Sequence, residues 1–151
     1  VGSEMCIRDR PCESSKAFNL RIIDQEPMVI ALARSHPLSS HRELTLEQLT
    51  DVAPILFPRE VAPGLYELVY NSYLRAGIDM QSAYQSSQIS SSLSMVEAGF
   101  GFALVPQSMT CITLPNVSYH PLMGTPLKTD IAIAWRRYER SRTVKRFLAM
   151  F

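Results

Sequence analysis

Short apolar runs alternate with helix-spaced segments along this chain, and that alternation restricts the fold more than any other sequence feature. Runs typical of strands buried on both faces occupy residues 28–33, 54–57, 102–105 and 131–135. Pro63 is placed to begin a helix that ends at Gly77, and a second helical pattern ends at Gly99. Strands that alternate with helices predict βαβ units, a mainly parallel sheet and the α/β fold class.

Weaker patterns complete this prediction. The segments Gln81 to Gln85 and Val117 to His120 are expected to form further strands, and Thr45 to Gln48 has the capping-box pattern that opens a short helix. Ser141 is placed to cap a last helix, whose regularly spaced apolar residues are Val144, Phe147, Leu148 and Phe151.

The composition is that of one globular domain. The chain has 151 residues, of which 46% are hydrophobic, and its formal net charge is +1. The near-neutral charge excludes a polybasic binder that acts through bulk charge. The apolar runs are far shorter than the ~20 residues of a membrane-spanning helix, so no membrane partner is expected. Cys6, Cys12 and Cys111 form neither a CxxC pair nor an even disulfide framework, which favours a reducing, cytoplasmic location.

Residues 1–17 do not share the patterns of the rest of the chain. They show neither helical nor strand periodicity, and they lack the apolar central region of a signal peptide. The stretch Val1 to Arg10 resembles translated adapter or cloning sequence. We therefore expect residues 1–17 to be a non-native or disordered leader, whose cysteines carry no function.

No pattern of a catalytic or metal site is present. The chain has no GxSxG, HExxH or P-loop motif, and Gly99-Phe100-Gly101 closes a helix where a nucleotide-binding loop would open one. His36, His41 and His120 lack metal-ligand spacing, and His36 is expected in a turn. Cys111 is predicted to be a small buried hydrophobic residue. The sequence thus predicts a protein that is not an enzyme and holds no cofactor or metal.

Residues 136–146 form a basic segment. Its local charge is +5, because Glu139 is outnumbered by Arg136, Arg137, Arg140, Arg142, Lys145 and Arg146. The apolar residues of the last helix commit one of its faces to packing. A solvated basic surface is therefore favoured over a nucleic-acid patch.

Two loops that precede predicted helices are the best candidates for a ligand site. One runs from Phe57 to Gly64, and the other from Gln85 to Gln88. Each follows the carboxyl end of a predicted strand, where open α/β sheets bind ligands. Free N–H groups and hydroxyls at such helix starts favour a carboxylate or another anion. Ordinary capping, with Ser87 as N-cap and Pro63 in a first turn, explains the same residues equally well.

Four segments, in this order and spacing, resemble the effector-binding domain of LysR-type transcriptional regulators. They are EPMVIALARSHPL, LTLEQLTDVAPILFPRE, SLSMVEAGFGFALVPQSM and IAIAWRR. The resemblance covers about residues 18–151. It implies a type-II periplasmic-binding-protein-like fold, in which crossing hinge strands join two α/β lobes and a small effector binds between them.

The resemblance also implies a division of the chain. Residues 18–39 would hold a hinge strand and part of lobe I, residues 40–118 lobe II, and residues 119–151 the return hinge strand and the C-terminal helix of lobe I. The winged helix-turn-helix and the first half of lobe I would lie outside this sequence, and DNA would be bound only through that absent part.

The implied site lies at the two loops. Its ligand-binding residues would be Pro58, Arg59, Pro63, Gly64, Leu65, Ser87 and Ile89. Some relatives carry arginine in place of Ser87, so its absence argues against a muconate-like dianion, although Arg59 has the charge to compensate.

The expected function is therefore effector sensing, with a small organic acid as the effector and self-association as a homodimer or homotetramer of the parent protein. A fragment of a periplasmic-type solute receptor is the alternative, because it shares the fold. An enzyme on this scaffold would need an acid–base or cofactor-bearing residue in the cleft, where only Arg59, Glu60 and serines are available.

Overall fold

Seven strands and three α-helices are present in the part of the chain that the structure describes. This computed structural model describes residues 18–60, 63–124 and 126–151, together with the backbone of residues 6–8. The strands are β1 (Cys6–Arg8), β2 (Phe18–Ala33), β3 (Pro54–Leu56), β4 (Tyr84–Gln85), β5 (Phe102–Pro106), β6 (Val117–Pro121) and β7 (Lys128–Arg136). The helices are α1 (Pro63–Arg75), α2 (Ile89–Glu97) and α3 (Arg142–Leu148). Short 3-10 helices span Pro37–Ser40, Leu46–Leu49, Met80–Ser82 and Gln107–Cys111.

Strand β2 belongs to two sheets. From Phe18 to Pro27 it pairs antiparallel with β7, whose other edge pairs with β1. From Met28 to Ala33 it lies between β5 and β6 and is antiparallel to both. Every residue from Met28 onward is buried, whereas the earlier ones are exposed or half-buried. The apolar run therefore predicted only the part of β2 that is covered on both faces.

The second sheet is mixed, with the strand order β6-β2-β5-β3-β4. Strand β3 is parallel to β4 and β5, but all pairings of β2 are antiparallel. The α/β fold class is confirmed, while the prediction of a mainly parallel sheet is wrong. An apolar run shows that a strand is buried, but it carries no information on the direction of its neighbours.

One further local prediction is wrong. Residues 81–85 do not form one strand, because the Asp79 carboxylate accepts the Gln81 N–H at 2.9 Å and stabilises the 3-10 helix Met80–Ser82, leaving only β4. Residues 6–8 form β1, which pairs with β7 although this segment has no strand periodicity. Backbone hydrogen bonding to an available strand edge needs no side-chain periodicity.

The helix-end signals at Gly77 and Gly99 and the cap signal at Ser141 are confirmed. Gly77 and Gly99 follow α1 and α2 with φ of 77° and 80°, the left-handed conformation that glycine adopts without strain. The Ser141 hydroxyl accepts the Val144 N–H and caps α3. Helix α3 ends at Leu148, whose carbonyl accepts a hydrogen bond from Arg21 of β2 at 2.9 Å.

The hydrophobic core lies between the second sheet and the helices α1 and α2. It joins Ile30 and Leu104 of the sheet to Leu65 and Val69 of α1 and to Leu93 of α2, all of them buried. This packing fixes where both helices begin, which positions the candidate site.

Candidate functional site

The carboxyl ends of β3, β4 and β5 lie at one edge of the second sheet, because the three strands are parallel to one another. The Ser86 N–H donates to the Leu56 carbonyl at 2.9 Å, which extends the pairing one residue beyond β4. The segments 57–60 and 86–88 therefore leave the sheet side by side. The two loops that the sequence identified are thus brought together, and α1 and α2 begin from them.

The α1 side of this edge contains five of the predicted site residues. Pro63 and Gly64 open the helix and are exposed, and Pro58 is half-buried. Leu65 is different, because its side chain is fully buried in the core. A ligand at this edge can therefore contact Leu65 only through its backbone N–H, which belongs to the first turn of the helix.

Arg59 carries the only positive charge among the predicted site residues, and it already has a partner. Its Nη2 lies 2.6 Å from Oε1 of Glu67 on α1, with the two side chains 69% and 44% exposed. An exposed ion pair of this kind contributes at most about 1 kcal/mol. The Glu67 carboxylate therefore competes with an anionic ligand for Arg59 without excluding it.

The α2 side differs from the prediction at one residue. Gln88, not Ser87, is the N-cap of α2, because the helix begins only at Ile89 and Gln88 has the extended backbone of a cap. Ser87 lies before it and is exposed, so its hydroxyl faces solvent at the sheet edge. The Ile89 side chain is buried in the core.

Ser86 is the residue of this turn that sequence reasoning missed. Its side chain is buried, and its hydroxyl donates to the Gln88 carbonyl at 3.0 Å. The same carbonyl accepts the N–H and the hydroxyl of Ser92, at 3.0 and 3.2 Å. Three donors on one carbonyl fix the turn. The only sequence signal that could distinguish the buried Ser86 from the exposed Ser87 is the alternation of side chains between the two faces of a strand.

The two helix starts at this edge favour an anion. The Gln88 side chain makes no capping hydrogen bond, so it leaves the first-turn N–H groups of α2 available. The helix macrodipoles place partial positive charge at the starts of both α1 and α2. Among the residues that the structure describes, no group of three or more His, Cys, Asp and Glu side chains is placed to hold a metal ion.

A hinge-like crossing lies beside this edge. Met28 of β2 pairs with Pro106 at the end of β5. One step earlier, the Glu26 carboxylate accepts the N–H and the hydroxyl of Ser108, at 2.8 and 3.2 Å. These two hydrogen bonds form a clasp between Glu26 and Ser108. The clasp lies where β2 runs between the first sheet and the candidate site.

The remaining candidates from the sequence are not part of this site. His36 lies in a turn as predicted, where its Nδ1 accepts the Leu38 N–H at 3.2 Å. Cys111 is exposed, so the prediction that it is buried is wrong. It ends a 3-10 helix in which Met109 packs on the core, as do the following Ile112 and Leu114.

Residues 3–151 match the family model described as the LysR substrate binding domain. The chain belongs to this LysR family. The resemblance seen in the four sequence segments is thereby confirmed, and with it the type-II periplasmic-binding-protein-like fold. The chain is an effector-binding domain of the LysR type.

Relatives in the LysR family are transcriptional regulators. The regulator BudR of Raoultella terrigena is 74% identical over 141 residues, which are 93% of this chain and 49% of that protein. The regulator BenM of Acinetobacter baylyi is 31% identical over 85% of this chain and 43% of its own length. The chain therefore spans about half the length of the curated relatives it matches.

Solved LysR structures share the fold. An effector-binding domain of a BenM variant superposes with a TM-score of 0.76 at 30% identity, covering 90% of this chain and 64% of that one. The BenM domain with its effector benzoate gives a TM-score of 0.72 at 29% identity, with coverages of 93% and 68%. None of the helices within residues 18–60, 63–124 and 126–151 combines the length and apolar content needed to cross a membrane.

Proposed function

We propose that this domain senses a small carboxylate-bearing effector at the edge where α1 and α2 begin, and that it acts by binding alone, without catalysis. The observation that carries the proposal is the convergence of two helix starts beside the crossing strand β2. The BenM domain solved with benzoate supports it, because a related domain holds a ligand of this chemical class.

The charge of the site favours one carboxylate over two. Arg59 is shared with Glu67, so this pair adds no net positive charge at the edge. Ser87 supplies a hydroxyl where some relatives have arginine. Arg59 is the one cation among the described residues assigned to this edge, so a second carboxylate would lose its hydration without a charged partner, which is costly.

The proposed signal is a change in the arrangement of two lobes. An effector shifts such an equilibrium only if it binds one arrangement more tightly than the other. We propose the division predicted from the sequence, with lobe II over residues 40–118 and lobe I contributed by residues 18–39 and 119–151. DNA binding through another part of the protein, self-association as a homodimer or homotetramer, and a cytoplasmic location complete the proposal.

Calorimetric titration of the 151-residue chain with benzoate tests the site. Ser87→Leu removes a hydroxyl and narrows the edge, and Gly64→Val adds a side chain where the backbone would approach the ligand. Both substitutions are expected to weaken binding several-fold. Ser94→Leu, at an exposed position farther along α2, is the matched control and should leave the affinity unchanged.

Glu67→Gln provides a test in the opposite direction. It removes the carboxylate that competes for Arg59, so benzoate should bind more tightly, by about the 0.2–1 kcal/mol of an exposed ion pair. In the full-length regulator, Ser87→Leu should reduce the effector response while operator binding is retained. Unchanged benzoate affinity in the Ser87, Gly64 and Glu67 variants would move the site away from this edge.

A further inference from the structure

An apolar cavity lies where the chain crosses between the two sheets. Its volume is about 190 Å³, and Pro27 to Val29 of β2 form one wall. The opposite wall comes from the end of β6, at Pro121 and Leu122, and from Pro126 and Leu127 just before β7. None of the residues assigned to the carboxylate site lines this cavity.

None of the described residues that line the cavity is charged. Gln107, at the start of the 3-10 helix that follows β5, is the one polar side chain among them. Met28 and Val29 are buried, with 2% and 7% of their surfaces exposed. Among the described residues, no buried side-chain nitrogen or oxygen lacks a hydrogen-bond partner, so no side chain requires a water molecule there.

The rim of the cavity is preorganised. Pro27, Pro121 and Pro126 each have a restricted backbone, which reduces the conformational entropy that the rim can lose when a ligand is bound. The two walls are also joined directly, because the Met28 N–H donates to the Leu127 carbonyl at 2.8 Å. The cavity therefore persists without an occupant and needs little rearrangement to accept one.

The volume suits a single ring. Apolar cavities of about 150 Å³ in other proteins stay dry and bind benzene or xenon. At about 190 Å³, this cavity has room for a ring that carries one methyl group. The cavity is partly open, so a carboxylate on the same ring would lose part of its hydration there, and none of the described lining residues offers a cation in return, which disfavours organic acids.

We propose that this hinge cavity is a second ligand site, which takes a neutral, apolar molecule of single-ring size. The occupant would contact both β2 and the segment that returns to β7, and it would brace the crossing between the two sheets. The site shares no lining residue with the carboxylate site, so both sites can hold a ligand at the same time.

Toluene and xenon are the probes for this site. Addition of toluene to the isotopically labelled 151-residue chain should produce saturable NMR shifts at residues 27–29, 121–122 and 127, and xenon should perturb the same residues. Benzoate has the same ring with a carboxylate. Its affinity for the cavity should be at least about tenfold lower than that of toluene, because the carboxylate would lose hydration on binding.

Two substitutions locate the binding. Gln107→Trp places an indole over the cavity from an exposed position, and Val29→Thr keeps the side-chain shape but adds a hydroxyl to the wall. Both should weaken toluene binding about tenfold or more. Thr110→Trp, at an exposed position of the same 3-10 helix outside the lining, should leave it unchanged.

The proposal fails if toluene produces no saturable shifts. It also fails if the Gln107 and Val29 variants bind toluene as tightly as the unchanged chain. A third contradicting result is a shift confined to the open apolar hollow of α3, at Phe147 and Met150. None of these outcomes depends on whether a carboxylate binds at the starts of α1 and α2.

Discussion

Tyr73 shows how one hydroxyl completes the hydrogen bonding of a short strand. Strand β3 pairs with β5 only as far as Ala103, and the next N–H of β5, that of Leu104, donates to the Tyr73 hydroxyl at 3.1 Å. The Tyr73 side chain is fully buried and meets Phe102 edge-to-face at 5.3 Å. Burial raises the pKa of Tyr73, and the bond from Leu104 opposes that shift only in part, so the phenol stays protonated.

Tyr73→Phe should lower the free energy of unfolding by about 1–3 kcal/mol, because it leaves the buried Leu104 N–H without an acceptor. The ring and its packing are kept, so the denaturant slope should not change. Urea unfolding measures both quantities. Tyr138→Phe is the control, since Tyr138 is 84% exposed. Equal midpoints for the Tyr73 variant and the unchanged chain would contradict this account.

His120 is a buried histidine with both ring nitrogens engaged. Nδ1 lies 2.9 Å from the His41 carbonyl, which can only accept, so Nδ1 carries a proton. Nε2 lies 2.8 Å from the Ser118 hydroxyl, which also lies 3.1 Å from the Leu32 carbonyl. In the neutral ring Ser118 donates to Nε2, and in the charged ring it turns to Leu32.

Acidification should destabilise the chain through His120. Burial lowers the pKa of His120 below its ordinary 6.5, opposed by the bond to the His41 carbonyl and reinforced by the charges of His41 and Arg34. Just below pH 6.5 the unfolded chain therefore binds more protons than the folded chain. The stability that the neutral His120 ring contributes is complete above that pH and is lost as the pH falls through the folded-state pKa.

Urea midpoints at about pH 7.5 and about pH 5.5 measure the effect of His120. The unchanged chain should lose stability between them, and His120→Asn should lose less. A variant that shows the full pH dependence of the unchanged chain would assign the effect to other groups.

Single residues of the site were only partly predictable. The sequence identified both loops and placed Leu65 and Ile89 on the apolar faces of their helices, but the resemblance also assigned the two residues to the ligand. Their side chains are buried in the core. Gly101 is a second case. A Cβ there would lie 2.0 Å from the Ala53 carbonyl oxygen, a close approach between distant segments that no local pattern reveals.

At the level of elements, proline and glycine located the helix ends well, because they act through local backbone geometry. Pairing partners were not predictable in the same way. Strand β2 extends from Phe18, well before its apolar run, because β7 satisfies its backbone groups. The predicted strand over residues 81–85 is shortened because Asp79 holds a competing 3-10 turn.

The clasp between Glu26 and Ser108 joins the first sheet to the 3-10 helix that follows β5 of the second sheet. Glu26 pairs with Thr129 in the ladder of β2 and β7, whereas Ser108 lies in the 3-10 helix after β5. Glu26→Ala should cost about 0.5–1.5 kcal/mol and speed amide exchange at residues 107–111. Hydrogen–deuterium exchange measures this. The exposed Glu43→Ala is the control, and equal exchange in both variants would show that the clasp does not hold the crossing.

At the scale of the whole molecule, the sequence predicted the fold class but not the mixed sheet. The alternation of strands and helices is a property of neighbouring residues, whereas β2 meets β5, β6 and β7 across long stretches of chain. Periodicity does not predict strand pairing. The order of the four motifs adds this information, because a resemblance to a family implies the topology of that family.

The charge distribution of the molecule leads to a last prediction, on nucleic acid. The six basic side chains of residues 136–146 are exposed, but Val144 of the same segment is buried and α3 packs along that face. The remaining residues offset this charge to a net +1. We therefore expect the 151-residue chain to bind duplex DNA only non-specifically, with a Kd of about 10⁻⁴–10⁻⁶ M or weaker at physiological salt.

Fluorescence anisotropy with two duplexes of equal length and different sequence checks this prediction. The two affinities should agree and should fall steeply with salt, because binding releases counterions from the phosphates. Arg137→Glu with Lys145→Glu should abolish the residual binding, whereas Lys128→Glu, outside the basic segment, should weaken it much less. A clear preference for one duplex would place sequence recognition in these residues and would contradict DNA binding through another part of the regulator.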